Sequence, residues 1–530
     1  MWRHEMPDAR DLNSVTPTDI VPLPIVRVLW ASALVVTGAY LLLWLGIHNL
    51  PYLDFPNHLA RAVVMADALF NHGSRFGYAF TVKLSPSTYV LGDLGLASLV
   101  QLIGANRAGL VWAALVFLSL PASFAYLARC LHLSPLASAT ALLIGCYLGS
   151  SWFYLSGFFN FQLAISLSFI IAANLFRQCE SPSGSRLITI ILVTALGYFV
   201  HIATVLFVCS ISAAVAIAYP APLRRRALAS AAPLLFASVL LFWGLLDPAA
   251  ATHGASNWGG LTGKIVRLGS PFIRFDFRSE ALCAVPLILF GCLGLQHWRQ
   301  LPGDGRARFC AVMVTAFLVM YFVLPISQGR GYDVDVRALS PMYAGIVLLM
   351  LVAIDLGSQC LQITAWALGA CLAVANLWFL HHELLPLDRT IGEYRALLKI
   401  VPERSSLLPV SAAPNVGRHQ AFLHAGSWAT IDRGAITPYL FSGSTGEAMS
   451  YFRYVHPPRA PAIFWATRPG YPRPDCAEIT RDFEYVAIIG KAILACPNFV
   501  GVAYSNNAEI SILKRAHSDD LRESMPDIIE

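Results

Sequence analysis

An aspartate, a histidine and an arginine lie close together directly after the first long apolar run of the chain. Asp54, His58 and Arg61 belong to the stretch Pro-Tyr-Leu-Asp-Phe-Pro-Asn-His-Leu-Ala-Arg at 51–61. Pro56 is favourable in a first helical turn, which puts Asp54 at the N-terminus of a helix, where the helix dipole favours a carboxylate. At about 100° per residue, His58 and Arg61 share the face of Asp54. The spacing predicts a polar cluster at the water-facing end of a membrane helix. The alternative is that Asp54 only caps the helix and that His58 and Arg61 are interfacial residues.

Two further polar positions interrupt apolar segments. The stretch Gly-Phe-Phe-Asn-Phe-Gln at 157–162 brings Asn160 and Gln162 to the start of a predicted span, and His201 stands alone at a predicted helix break. Amide side chains often join helices inside membranes, which is the structural alternative for Asn160 and Gln162. A satisfied interfacial histidine is the structural alternative for His201.

A fourth polar position precedes a late apolar run. The segment 328–337 carries Arg330, Asp333, Asp335 and Arg337. At the membrane boundary a guanidinium can grip a phosphate through two parallel hydrogen bonds, or it can simply reach toward the headgroups. Asp333 and Asp335 could instead pair with Arg330 and Arg337 as a structural turn.

The composition identifies a membrane protein. Of the 530 residues 56% are hydrophobic and 13% are charged, whereas soluble proteins carry about 25% charged residues. Several apolar runs reach roughly 18–22 residues, the length that spans a bilayer. The net charge of +6 is typical of basic cytoplasmic loops, and no nucleic-acid partner is expected.

The apolar pattern predicts eleven spans and four regions. The predicted spans lie at about 24–47, 107–128, 135–150, 158–176, 187–200, 202–219, 227–246, 281–298, 309–326, 339–354 and 362–380. The regions are a cytoplasmic segment 1–23, a membrane domain 24–385 with an external loop at 48–106, a small α/β domain at 386–516, and a disordered tail at 517–530. Short β-type runs at 485–489 and 509–513 indicate strands in the third region.

The segment Tyr89–Gly104 decides the topology. If it does not cross the membrane, the arginine-rich loops near 129, 177–186, 224–226 and 299–308 all fall on the cytoplasmic side, as the positive-inside rule requires. We therefore predict an interfacial or re-entrant helix here, with the Asp54 loop and the C-terminus both outside. A single continuous helix over 187–219, instead of a break near His201, would spoil this topology.

Cys476 and Cys496 follow the last predicted span, whereas most of the other cysteines lie within apolar runs. In an oxidising outer compartment such a pair should form a disulfide. The alternative is two buried thiols in a cytoplasmic domain.

In these features the chain resembles the GT-C superfamily of membrane glycosyltransferases. The matching features are Asp54 with Pro56, Asn57, His58 and Arg61, then 157–161, then His201, then Arg337 before a late span, in that order over about 24–380. Phe55 follows Asp54 where the mannosyl- and aminoarabinose-transferring branches carry a second acid, and the Trp-Trp-Asp signature of oligosaccharyltransferases is absent from the sequence.

The resemblance implies an inverting glycosyltransferase in a bacterial inner membrane. The donor would be a polyprenyl-phosphate-linked sugar, and the acceptor a hydroxyl of a lipid, glycan or protein at the outer face. Asp54 would be the base, and Arg337, with Arg330, would hold the donor phosphate. The residues expected around the substrates are Asn57, His58, Arg61, Asn160 and His201. A divalent metal is possible but not indicated. The alternatives are a transporter or lipid flippase, and a non-catalytic protein of envelope-glycan assembly.

Overall fold

The structure is a computed structural model that describes residues 22–246, 256–275, 277–328, 333–411, 418–438, 440, 451–455, 476–490, 496–505 and 509–516. The predicted cytoplasmic segment up to residue 21 and the predicted tail at 517–530 lie outside these ranges, as does Arg330.

Most of the described chain is helical. The helices are α1 (Leu23–Gly46), α2 (Phe55–Phe70), α3 (Val90–Ile103), α4 (Ala105–Cys130), α5 (Pro135–Gly149), α6 (Trp152–Leu155), α7 (Phe159–Glu180), α8 (Gly184–Val200), α9 (Ala203–Ala218), α10 (Leu223–Leu246), α11 (Leu261–Arg267), α12 (Phe277–Leu295), α13 (Gly305–Val323), α14 (Leu339–Asp355), α15 (Gln359–Leu397), α16 (Ser427–Arg433) and α17 (Cys476–Asp482). Short 3₁₀ turns occupy Trp298–Gly303, Asp335–Ala338 and Leu398–Ile400.

Each of the eleven predicted spans corresponds to a helix of the structure, namely α1, α4, α5, α7, α8, α9, α10, α12, α13, α14 and α15. Seven of these helices are long and apolar enough to cross a membrane by length and composition; α5, α8, α9 and α12 are shorter apolar helices, as is α3. This confirms a polytopic helical membrane protein. The number of crossings, and the interfacial placement of α3, stay predictions.

The helical structure is interrupted at His201 but continues without interruption through Pro386. His201 is extended, with φ −167° and ψ 133°, between α8 and α9, which confirms the predicted break. Pro386, where the composition changes, lies inside α15, and this helix runs on to Leu397. The predicted boundary at 386 therefore falls within a continuous helix.

The C-terminal region contains a small mixed sheet. Its strands are β4 (Leu407–Ser411), β6 (Tyr485–Ile489), β7 (Phe499–Tyr504) and β8 (Ile510–Arg515), in the order β4-β6-β8-β7. The pair β4 and β6 is parallel and the other pairs are antiparallel. The predicted strands at 485–489 and 509–513 are thus confirmed, and Cys476 is joined to Cys496 by a disulfide.

Short strand pairs connect distant parts of the chain. Strand β1 (Phe80–Val82), which follows α2, pairs antiparallel with β5 (Phe452–Tyr454), and β2 (Ser256–Asn257) pairs with β3 (Ser327–Gln328). The first of these pairs fastens the C-terminal region to the loop that carries Asp54.

A buried polar network joins α1, α15 and the chain before α12. Arg274 is 1% exposed and forms an ion pair with Glu280, while its Nη1 donates to Asn376 Oδ1. Asn376 donates in turn to the Tyr40 hydroxyl at 2.6 Å. Because a buried charge is costly unless it is paired, this network holds the three segments in one arrangement.

Candidate active site

The start of α2 places Asp54 beside the start of α7. Asp54 is the N-cap residue of α2, as predicted, but its side chain makes no capping hydrogen bond. Its N–H donates to the Ser156 carbonyl at 2.9 Å. Gly157 has φ +75°, and a Cβ there would lie 2.5 Å from the Phe55 nitrogen. Only glycine permits both this backbone conformation and this close approach, which explains the glycine at the head of the 157–162 stretch.

A histidine from the C-terminal region faces Asp54. His424 Nε2 lies 3.3 Å from Asp54 Oδ1, with side chains 10% and 16% exposed. On the other side of the ring, Asn57 Nδ2 lies 3.4 Å from His424 Nδ1. Asn57, expected near a substrate, is fully buried and contacts His424. His424 was missed because no local pattern marks a histidine so far along the chain.

Arg61 pairs with a carboxylate of α3. Its Nε donates to Asp93 Oδ2 at 2.6 Å, and its Nη2 donates to Asp93 Oδ1 at 2.9 Å. Tyr451 also donates to Asp93 Oδ2. Arg61 is 0% exposed and Asp93 is 2% exposed. The guanidinium therefore stabilises the contact between α2 and α3, and it is too deeply buried to touch a substrate in this arrangement.

His58 is held neutral beside this ion pair. Burial, and next the charge of Arg61, lower the pKa of His58 from 6.5 to about 4. Arg61 Nη2 lies 2.7 Å from His58 Nδ1. Since a guanidinium only donates, Nδ1 is the acceptor and the ring proton is on Nε2. His58 is thus a neutral polar group between Arg61 and the Asp54 end of α2.

Asn160 lies between these residues and α3. It is 7% exposed, and within the described residues its Nδ2 has no hydrogen-bond partner. With His58, Asp93 and Trp112 it lines a small cavity. A Cβ on Gly92 of α3 would come 2.1 Å from Asn160 Oδ1, so the amide is packed closely against that helix.

Arg337 and His201 are far apart in sequence but lie next to each other in the fold. Arg337 Nη1 lies 3.3 Å from His201 Nε2. The guanidinium carbon is 5.4 Å from the ring centre of Phe158 and 5.6 Å from that of Phe161. Across the ranges that the structure describes, Arg337 Nε has no hydrogen-bond partner and no carboxylate lies within 4.0 Å of the guanidinium. The charge is held over two aromatic faces and is not neutralised by an acid.

The proton of His201 points to Tyr89. His201 Nδ1 accepts from the Ala203 N–H at 3.0 Å, so the ring proton is on Nε2, which lies 3.2 Å from the Tyr89 hydroxyl. Burial, and next Arg337, lower the pKa of His201 well below its usual value. Because Nε2 carries the proton, Arg337 cannot donate to it. The N–H groups of Arg337 stay available for a ligand.

The acidic neighbours of Arg337 in sequence pair elsewhere. Asp335 Oδ1 accepts from Arg267 Nη2 at 3.1 Å, and Asp333 pairs with the same guanidinium. Asp333 Oδ2 also lies 3.7 Å from Arg418 Nη2. The alternative in which these aspartates neutralise Arg337 is therefore wrong, and Arg267 is the partner that the spacing did not reveal.

The described residues contain no group of three or more His, Cys, Asp or Glu side chains arranged to hold a metal ion. Asp54 and His424 form one polar pair at the start of α2, and Arg337 and His201 form a second pair beside Phe158 and Phe161.

The sequence matches no protein-family model, and no curated protein is significantly similar to it. Solved structures that resemble the fold include ArnT from Cupriavidus metallidurans bound to undecaprenyl phosphate, with a TM-score of 0.56, and the same protein in the apo state, with a TM-score of 0.54. Each is 10% identical to this chain, and each comparison covers 94% of this chain and 99% of the other. The chain therefore has the fold of ArnT.

Proposed function

We propose that this protein is a membrane glycosyltransferase that takes a sugar from a polyprenyl-phosphate-linked donor and transfers it to a hydroxyl group. The observation that carries the proposal is Arg337, a half-buried guanidinium without a carboxylate partner among the described residues, held over Phe158 and Phe161. A cation placed in this way fits a phosphate, which accepts two parallel hydrogen bonds from arginine. The solved ArnT structure with undecaprenyl phosphate supports a ligand of this class.

Asp54 is the base in the proposed reaction. The acceptor hydroxyl gives its proton to the Asp54 carboxylate while its oxygen bonds to the anomeric carbon of the sugar. The bond between that carbon and the phosphate oxygen breaks, and the electron pair leaves with the polyprenyl phosphate. Arg337 stabilises the charge that develops on the phosphate. Attack opposite the leaving group inverts the anomeric configuration.

His201 and Tyr89 hold their positions next to Arg337 and would contact the donor headgroup from the side. His58 and Asn160, which line the same small cavity, are the polar groups assigned to the sugar. Arg330 lies outside the described residues, so its predicted contact with the phosphate is not part of this mechanism.

We further propose that the reaction takes place at the outer face of a bacterial inner membrane, with the acceptor on a lipid, glycan or protein. The disulfide between Cys476 and Cys496 supports this placement, because disulfides persist in oxidising compartments. The basic loops between the spans support it too, since they fall on the cytoplasmic side when the eleven predicted helices cross. Two free thiols in membranes prepared without reductant would contradict the external location.

The function is tested with purified protein in lipid nanodiscs, a panel of labelled polyprenyl-phosphate sugars and an extract of envelope lipids and glycans. Asp54→Asn keeps the shape of the side chain but cannot take a proton, so transfer should fall by about 10²–10⁴-fold. The variant should still bind undecaprenyl phosphate, measured as a thermal shift. Transfer by Asp54→Asn at the parental rate would remove Asp54 from the mechanism. Lipid binding by the parent without transfer of any sugar would favour a lipid flippase.

A further inference from the structure

The segment that carries His424 is anchored beside the Asp54 loop. His419 Nε2 donates to the Pro51 carbonyl at 2.7 Å, and His419 is 1% exposed. The Arg418 N–H donates to the Phe275 carbonyl at 2.7 Å. Downstream, α16 is held to α15 by the ion pair of Asp432 with Arg395. The contacts of His419 and Arg418 give His424 a defined position over the start of α2.

The carboxylate of Asp54 lacks the restraint that an N-cap side chain normally has. An N-cap aspartate usually accepts from the backbone N–H of the second or third helical residue. Here the Asn57 and His58 N–H groups donate to the Asp54 carbonyl oxygen at 3.0 and 3.2 Å, and the side chain makes no cap hydrogen bond. The helix backbone therefore does not fix the direction of the carboxylate.

His424 lies where it can supply this restraint. The Asn57 amide nitrogen, which only donates, faces Nδ1 at 3.4 Å, so Nδ1 accepts and Nε2 carries a proton. That nitrogen lies 3.3 Å from Asp54 Oδ1. A ring N–H directed at Oδ1 leaves Oδ2 as the oxygen that receives the proton of the acceptor.

We propose that His424 is a positioning residue for Asp54, oriented by Asn57, and that the C-terminal region thereby completes the active site. This inference rests on the proposed function, in which Asp54 is the base. It also gives the C-terminal region a role in the reaction. In this role His424 acts through Asp54.

The experiment compares His424→Ala with His424→Gln in the full-length protein in nanodiscs. The side-chain amide nitrogen of glutamine can occupy the place of Nε2, whereas alanine removes the donor. A loose catalytic group costs up to about 100-fold in rate, so His424→Ala should lower kcat by about 10–100-fold with little change in KM for the donor. His424→Gln should recover most of the lost kcat.

Asp432→Asn is the matched control, because it breaks the ion pair with Arg395 in the same segment but does not reach Asp54. This variant should lower the melting temperature and leave kcat unchanged. If His424→Ala does not fold, the kcat of His424→Gln decides, since a folded but inactive glutamine variant contradicts a positioning role.

Full activity of a folded His424→Ala would overturn the proposal, as would equal losses in the alanine and glutamine variants. Asp54→Asn, measured in parallel, separates the two proposals. If Asp54→Asn is inactive while His424→Ala is fully active, only the positioning role fails. If the parent transfers no sugar, the proposed function fails and the positioning role fails with it.

Discussion

Arg61 and Arg337 are both largely enclosed by protein, yet their surroundings differ in one respect. Arg61 is fully buried and its charge is met by Asp93 at 2.6 and 2.9 Å. Arg337 is half-buried over Phe158 and Phe161, and the described residues offer it no carboxylate. A charge that the fold neutralises contributes to structure, whereas a charge that the fold leaves unneutralised is available to an anionic ligand. Two arginines that the resemblance placed near the substrates thus receive different roles.

The largest effect is expected from breaking the pair at Arg61. Asp93→Asn keeps the shape of the side chain but leaves the guanidinium charge buried without its counterion, which typically costs about 3–5 kcal/mol. We expect a large fall in melting temperature for the detergent-solubilised protein, and replacing both partners, Arg61→Met with Asp93→Leu, should recover part of it. If Asp93→Asn leaves the melting temperature unchanged, Asp93 does not neutralise the charge of Arg61 to a degree that matters for stability.

Changes at Arg337 should affect binding and leave stability unchanged. Arg337→Ala removes hydrogen bonds to a charged group, worth about 1.5–3 kcal/mol, or roughly 10–100-fold in affinity. Arg337→Lys keeps the charge but loses the planar pair of donors, so it should recover only part of the affinity. The measurement is binding of undecaprenyl phosphate beside the melting temperature of the ligand-free protein. A lower melting temperature without loss of binding would make Arg337 a structural residue like Arg61.

The smallest effect, counted per pH unit, concerns His58, the neutral group beside the Arg61–Asp93 ion pair. Its pKa in the folded protein is about 4, so the unfolded chain takes up this proton first as the pH falls. The stability that the neutral ring contributes is complete above about pH 6.5 and is lost toward pH 4, at up to about 1.4 kcal/mol per pH unit.

His58→Gln should therefore flatten the dependence of the melting temperature on pH between 6.5 and 4. Burial also lowers the pKa of His419 to about 4. This histidine therefore also makes the melting temperature depend on pH between 6.5 and 4. The dependence should accordingly be reduced, not abolished. An unchanged pH dependence would mean that Arg61 and burial do not hold His58 neutral.

The local sequence pattern was sufficient to predict the helices and part of the site. The apolar runs predicted the eleven helices, and the isolated His201 marked the break between α8 and α9. Pro56 predicted the helix that begins at Phe55. The pattern missed the extension of α15 through Pro386, because a proline usually interrupts a helix.

By itself, the sequence determined that the chain forms apolar helices, where they break, and that Asp54 stands at the start of α2. These features depend on side-chain type and on spacings of a few residues. In a helix, such spacings determine which side chains lie on the same face. Only the tertiary structure decided the partners: Asp93 for Arg61, Arg267 for Asp335, and His424 for Asp54. Each of these pairs joins groups from separate elements, and no local spacing specifies such a pair. Packing selects it, because a buried charge or carboxylate is stable only where another element brings a complementary group within hydrogen-bond distance.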